Sequence, residues 1–94
     1  MSSASDAVAI LRDLQAHNLG PVLEQLCQRR GVLALDICGR RRSLSVTRAR
    51  QELWWLIRSD PERCYSLPEL ARLFARDHTT IGHGIAAHMR RSGP

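Results

Sequence analysis

Several residue types and patterns are missing from this 94-residue chain, and each absence narrows the class of protein. There is no lysine, so all 14 positive side chains are arginine. Arginine recognises phosphate and guanine with paired hydrogen bonds, although a GC-rich genome explains the same bias. No apolar run is long enough to span a bilayer and no cleavable signal-like start is present, which predicts a cytoplasmic protein. Cys27, Cys38 and Cys64 form no C-x-x-C pair, and an odd count is typical of a reducing compartment.

Motifs for catalysis and cofactor binding are also missing. The chain has no paired carboxylates, no nucleophile beside a base and no GxxxxGKT-type phosphate loop, so we predict no enzymatic activity and no nucleotide cofactor. His78, His83 and His88 recur every five residues and therefore turn about 140° apart on a helix, which prevents them from sharing a metal ion as an i, i+4 pair does. The sequence predicts no catalytic residue and no metal site.

What remains is typical of one small, basic, helical domain. The chain is 44% apolar and 24% charged, as globular proteins are, and its net charge of +5 favours a polyanionic partner, nucleic acid before an anionic membrane. Apolar residues recur with a period near 3.6 and no stretch alternates as a strand does, which predicts an all-α fold. We expect an extra N-terminal helix or arm over 1–19, the main domain over 20–91 and a tail over 92–94.

Caps and apolar stripes place the helices. They are a short helix capped by Ser5 or Asp6, a helix from Pro21 to Gly31, a helical turn over 33–38, a long helix over 46–59, a helix from Ser66 to Phe74 and a last helix from Asp77 or His78 to about Arg91. Ser66 and Glu69 match a capping box. In the long helix Trp54 should be buried, and a polar face should carry Arg48, Gln51, Trp55 and Arg58. An ordinary solvated face is the alternative to a face that lies near a nucleic-acid backbone.

The last helix divides into two faces. Its inward face is expected to carry Ile81, Ile85, His88 and Met89, with His88 as a hydrogen-bonded core histidine. Gly82 lies on the outward face, where a missing side chain lets the backbone approach DNA, and Gly84 lies at the inner edge, where it lets helices pack closely. The alternative is that both glycines merely weaken the helix, at about 1 kcal/mol each.

The segment Arg76-Asp77-His78-Thr79-Thr80 opens this helix directly behind the preceding one, as in a helix-turn-helix. A second helix in the major groove presents its first turn to the base edges. An acid, an imidazole and two hydroxyls suit the mixed donors and acceptors of bases, whereas phosphate binding alone would need positive charge. The alternative is an ordinary Asp N-cap followed by Thr. Ala71 and Ile81, ten positions apart with Phe74 between them, resemble the generic helix-turn-helix pattern.

Four ordered segments resemble domain IV of the bacterial replication initiator DnaA. They are Arg41-Arg42-Ser43, residues 45–51, residues 66–70, and residues 76–80 with His83 following, within a stretch from about Val22 to Arg90. The resemblance implies a small all-helical, Trp-repressor-like domain with a helix-turn-helix that binds double-stranded DNA at DnaA boxes, TTATCCACA-like sites, through both grooves.

The resemblance also implies particular contacts. Bases would be read by Arg42 in the minor groove and by Asp77, His78 and Thr79 in the major groove. Contacts to the DNA backbone are expected from Arg41, Arg48, Arg50, Gln51, Arg58, Ser66, Leu67, Arg76, Thr80 and His83. The chain departs from the family pattern at Phe74-Ala75-Arg76, which is one residue shorter than the usual form with two glycines. It departs also at Leu44, Ala86 and Ala87, where basic residues are common, so we expect weaker affinity.

These observations predict a stand-alone, sequence-specific DNA-binding protein, associated with the nucleoid in the cytoplasm. It would act at DnaA-box-like sites as a transcriptional regulator or replication modulator, without ATPase activity and without a membrane partner. The alternative is a protein-interaction module, in which the N-terminal helix and Trp55 dock a protein partner and the helix-turn-helix is vestigial.

Overall fold

The computed structural model describes residues 3–92, with side chains from Asp6 onward, and only helices and their connections occur in that range. The helices are α1 (Ser3–Ala16), α2 (Gly20–Arg30), α3 (Ala34–Cys38), α4 (Leu44–Ser59), α5 (Leu67–Phe74) and α6 (His78–Ser92). The prediction of an all-α fold is confirmed. No helix among the described residues combines the length and the apolar character needed to cross a membrane. Contacts divide the chain into two units, the first ending at Ala49 and the second beginning at Arg50.

In the first unit α1 packs on α2 and α3, and α2 also packs on α3. The buried apolar side chains of these helices include Ala7, Ile10, Leu14, Leu23, Leu26, Ile37 and Cys38. α1 begins at Ser3, so the prediction that Ser5 or Asp6 caps it is wrong, because both residues lie within the helix. Asp6 still stands in the first turn, where a carboxylate interacts favourably with the helix dipole.

The ends of α2 agree with the prediction made from its sequence. Pro21 lies in the first turn, where its missing N–H has no helical partner to lose. Gly31 follows the last residue with φ 66°, and its N–H donates to the carbonyl of Cys27. α4 begins at Leu44, two residues earlier than expected, so the basic loop between α3 and α4 is confined to residues 40–43.

The second unit contains the end of α4 together with α5 and α6, and α5 packs on α6. Trp54 is 3% exposed, as predicted, and meets Phe74 edge to face with ring centroids 6.1 Å apart. Ile81 is fully buried on α6. The prediction that Met89 faces inward is wrong, since it is 57% exposed.

Candidate nucleic-acid interface

The start of α5 is held by the predicted capping box. The backbone N–H of Ser66 donates to Glu69 Oε1 at 3.0 Å, and the backbone N–H of Glu69 donates to Ser66 Oγ at 3.2 Å. The hydrogen bond from the Ser66 backbone, followed by that with its side chain, lowers the pKa of Glu69 below its ordinary value. α5 therefore has a defined first turn, which presents Leu67 half-buried at the surface.

A left-handed residue closes the turn between α5 and α6. Ala75 has φ 54° and ψ 47°, and its N–H donates to the carbonyls of Ala71 and Arg72. The N–H of Arg76 also donates to the Ala71 carbonyl, at 2.9 Å. This six-to-one hydrogen bond is characteristic of a Schellman motif, which satisfies the last carbonyls of a helix and reverses the chain. Ala75 alone thus makes this turn, whereas the resemblance implies a pair of glycines between the phenylalanine and the arginine.

Asp77 caps the start of α6. Its Oδ1 accepts a hydrogen bond from the Thr79 N–H at 2.8 Å, and the same oxygen lies 3.6 Å from His78 Nδ1. The hydrogen bonds of Thr79, first the one from its backbone, lower the pKa of Asp77, and His78 lowers it further. The carboxylate is therefore ionised at neutral pH. The interpretation of Asp77 as a helix cap is correct.

The first turn of α6 is exposed. Asp77 and His78 each expose 68% of their side chains, and Thr79, Thr80 and His83 are exposed as well. One short surface therefore offers a carboxylate oxygen, an imidazole and two hydroxyls, a mixture of donors and acceptors that suits the edges of base pairs.

The opposite face of α6 packs tightly through Gly84. A methyl group at this position would stand 2.5 Å from Trp54 Cζ3 and 2.6 Å from Cε3, which confirms that Gly84 allows close packing of two helices. At Gly82 an added methyl group would meet only Leu67 Cδ1, at an ordinary 3.7 Å. The protein interior thus requires a glycine at 84, whereas nothing in the protein requires one at 82.

His88 is a core histidine, as predicted. It is 6% exposed, and its Nε2 lies 3.2 Å from Ser92 Oγ. Its ring also packs on Trp55, with centroids 5.0 Å apart and an interplanar angle of 42°. Trp55 is consequently half-buried against α6, although its sequence position had suggested an aromatic side chain displayed on a polar face.

The other residues expected to contact the DNA backbone in the second unit differ in exposure. Arg58 is exposed, Ser66 and Arg76 are half-buried, and Arg50 is only 5% exposed. The burial of Arg50 runs against its expected role, because an enclosed guanidinium cannot reach a phosphate. Its spacing could have revealed this, since Arg50 stands three residues before the buried Leu53 and seven before the buried Ile57.

Gln51 is also turned toward protein. It is half-buried, its Oε1 is enclosed without a hydrogen-bond partner, and its Cγ lies 3.2 Å from the position of a methyl group on Gly84. Little of this side chain is left for a phosphate.

The first unit carries the remaining arginines of the predicted site. Arg42 is exposed in the loop over residues 40–43, and Arg48 is exposed on α4. Arg41 exposes 63% of its side chain and places its Nη1 3.6 Å from Asp36 Oδ2. The loop therefore presents guanidinium groups to solvent, one of them close to a carboxylate of α3.

Within residues 3–92 no group of three or more His, Cys, Asp or Glu side chains is arranged to hold a metal ion. Cys27, Cys38 and Cys64 are free thiols. Burial, and then the nearby Glu24, raises the pKa of the Cys27 thiol, which disfavours its thiolate. The Cys64 thiol donates to the Pro61 carbonyl at 2.9 Å.

Two capped helices, a closed turn between them and an exposed polar first turn on the second are the features of a helix-turn-helix, a motif of many DNA-binding proteins. The comparison with known families identifies it further. The chain matches the family described as the bacterial dnaA protein helix-turn-helix over residues 21–87, more than half of its length, and it belongs to that family. This confirms the resemblance to DnaA domain IV, a DNA-binding and non-catalytic type of domain. No solved structure matches the chain.

Proposed function

We propose that this protein binds double-stranded DNA sequence-specifically at DnaA-box-like sites, and that by occupying them it regulates transcription or modulates replication. The observation that supports this most directly is the first turn of α6, which is capped, exposed and of mixed polarity in a helix-turn-helix of the DnaA family. The net charge of +5 favours the same partner.

In the proposed complex the first turn of α6 lies in the major groove. Thr79 offers its methyl group to a thymine methyl, and His78 donates to or accepts from a base edge. Asp77 caps α6 through Oδ1. In the complex its carboxylate also accepts from a cytosine amino group.

The loop of the first unit supplies a second contact. Arg42 enters the minor groove, where a narrow A·T-rich segment concentrates negative potential and attracts a guanidinium. Phosphate and sugar contacts fix the register of the protein on the duplex. They are assigned to Arg41, Arg48, Arg58, Ser66, Leu67, Arg76, Thr80 and His83. Arg50 is left out because it is buried, and Gln51 because it faces α6.

Selection from a pool of random duplexes tests the proposal. We expect the recovered sequences to converge on a DnaA-box-like element containing a CACA-type core. Recovery of random sequences, or of an unrelated element, would refute recognition of DnaA-box-like sites. Chromatin immunoprecipitation tests the regulatory half of the proposal, which fails if such sites are not enriched in cells.

Mutation separates base reading from charge attraction. His78→Ala and Thr79→Ala should each lower affinity for the selected element by roughly 1–3 kcal/mol and relax sequence preference, because each removes a base contact. Arg58→Ala should instead weaken binding to selected and scrambled duplexes alike, because a phosphate is present in every sequence. Equal losses on both duplexes for all three variants would contradict base reading by α6.

The protein-interaction hypothesis finds less support in the structure. The apolar residues Ala7, Ile10 and Leu14 of α1 are buried where it packs on α2 and α3, so this face is already used within the first unit. Trp55 is half-buried against His88. A gel shift distinguishes the two functions, since a partner-docking protein should bind DNA weakly and without sequence preference.

A further inference from the structure

We propose that Asp77 is a positioning residue for His78: it holds the proton of the neutral imidazole on Nδ1, so that Nε2 faces the DNA as a hydrogen-bond acceptor. This inference rests on the proposed function, in which the first turn of α6 reads bases. It adds which nitrogen of the His78 imidazole carries the proton, and which class of base this side chain recognises.

The first step is the fixed position of the carboxylate. Asp77 Oδ1 accepts from the backbone N–H of Thr79 at 2.8 Å, and this N–H belongs to the first turn of α6. The hydrogen bond ties the side chain to the helix that carries His78, although 68% of the Asp77 side chain is exposed. The negative charge is therefore held at a defined place beside the imidazole.

The second step is the side of the ring that faces this charge. His78 Nδ1 lies 3.6 Å from Asp77 Oδ1, slightly longer than a hydrogen bond and close enough for the carboxylate to favour a proton on that nitrogen electrostatically. The group beside one ring nitrogen decides which nitrogen carries the proton. A carboxylate beside Nδ1 stabilises the N–H there, and the Nε2 lone pair is left exposed.

The third step is the chemistry of the major groove. Adenine and cytosine present amino groups there, at N6 and N4, whereas guanine O6 and thymine O4 are acceptors. An acceptor at His78 Nε2 pairs with an amino group and is repelled by a carbonyl oxygen. His78 should consequently select a base that carries an amino group.

Nitrogen-15 NMR of the imidazole, above the usual titration range of histidine, measures the proton position without DNA. We expect the Nδ1–H form to predominate in the wild type and to lose population in Asp77→Ser, because serine caps a helix as aspartate does but carries no charge. Asp77→Asn, which keeps a side-chain carbonyl for the cap, serves the same purpose if the serine variant does not fold. Glu62→Gln removes an exposed carboxylate elsewhere and should change nothing. Equal tautomer populations in wild type and Asp77→Ser would overturn the proposal.

A double-mutant cycle on the selected duplex tests the consequence for DNA. Asp77→Ser should lower affinity about tenfold in the wild-type background and clearly less in the His78→Ala background, because there is then no imidazole to position. The same fold loss in both backgrounds would show that Asp77 acts independently of His78, and the inference would fail while base reading by α6 stands. If His78→Ala leaves the sequence preference unchanged, base reading by His78 is refuted, and the NMR result alone decides whether Asp77 sets its tautomer.

Discussion

Two glycines in α6 stand two residues apart and serve different purposes. At Gly84 a methyl group would lie 2.5 Å from the Trp54 ring, and Trp54 is itself buried on Phe74, so neither partner can move freely. We expect Gly84→Ala to lower the free energy of unfolding by up to about 2 kcal/mol, since overpacking costs about 1–3 kcal/mol and the better helix propensity of alanine returns about 1 kcal/mol. Urea denaturation measures the difference.

Gly82→Ala is the matched control, because its methyl group would meet only Leu67 Cδ1 at 3.7 Å. This variant should gain up to about 1 kcal/mol of stability from helix propensity. It should nevertheless bind the selected duplex more weakly, because the outward face of α6 is where the backbone is proposed to approach DNA. Unchanged affinity would show that DNA does not need this glycine, and a gain of stability in Gly84→Ala would contradict the packing argument.

Ala75 carries strain that glycine would relieve. Its φ of 54° is left-handed, a conformation that costs an alanine roughly 1–2 kcal/mol because Cβ approaches a carbonyl oxygen. Glycine avoids this cost but loses about 0.4–1 kcal/mol through its freer unfolded chain, so Ala75→Gly should raise the free energy of unfolding by about 0.5–1 kcal/mol. The same exchange at the exposed helical residue Ala9 should cost about 1 kcal/mol. A destabilised Ala75→Gly variant would show that the turn is not strained.

The sequence interpretation was misleading at two positions of α4, and spacing was informative at only one of them, Arg50. Arg50 lies on the buried stripe of α4, with Leu53 and Ile57, although the resemblance to DnaA domain IV implies a contact with the DNA backbone at this position. A long apolar stem allows arginine to be buried within such a stripe. Trp55 was placed on a polar face, and the contact that half-buries it comes from His88, 33 positions later in the chain. A contact between residues so far apart in the sequence cannot be predicted from the local periodicity of α4.

At the scale of the helices, termini set by neighbouring residues were the most predictable. The capping box of α5 depends on two residues that are three positions apart. The cap of α6 depends on Asp77, which accepts a hydrogen bond from the backbone N–H two residues later. The start of α1 was predicted wrongly, because Ser5 and Asp6, the two proposed caps, lie within the helix. Met89 is exposed although the preceding residue, His88, is buried, so the buried face of α6 is narrower here than its periodicity indicated.

The capping box should make the stability of α5 depend on pH. Because hydrogen bonds lower the pKa of Glu69 in the folded protein, its contribution is complete above the unfolded value and is lost as the pH falls through the folded value. Glu69→Gln keeps an oxygen acceptor but does not ionise. The stability of the wild type should therefore fall toward that of Glu69→Gln as the solution is acidified below the ordinary range of glutamate. Parallel urea-denaturation curves for both proteins at all pH values would contradict this linkage.

At the scale of the whole molecule, the sequence alone predicted the family and the fold class. A family resemblance can be detected from short motifs in the right order, without knowledge of packing, and the family match over residues 21–87 agrees with it. Exposure of the proposed DNA contacts could be predicted where a residue lies in a cap or loop, as for Thr79 and Arg42. It could not be predicted within α4, because there the neighbouring helices decide which positions are covered.

The strength of DNA binding should depend on specific arginines rather than on the total charge of +5. If about six phosphates are neutralised, the logarithm of affinity should fall with the logarithm of salt concentration at a slope of about −5, because each phosphate contact releases counterions. Arg58→Ala should reduce the magnitude of the slope by about 1, whereas Arg12→Ala, also exposed but on α1 outside the proposed interface, should leave it unchanged. Both variants lose one positive charge, so they differ only in the position of the lost arginine. Fluorescence anisotropy titrations at several salt concentrations measure the DNA affinity, and hence the slope, of each variant. An equal change of slope in both would mean that overall charge, and not the proposed surface, attracts the duplex.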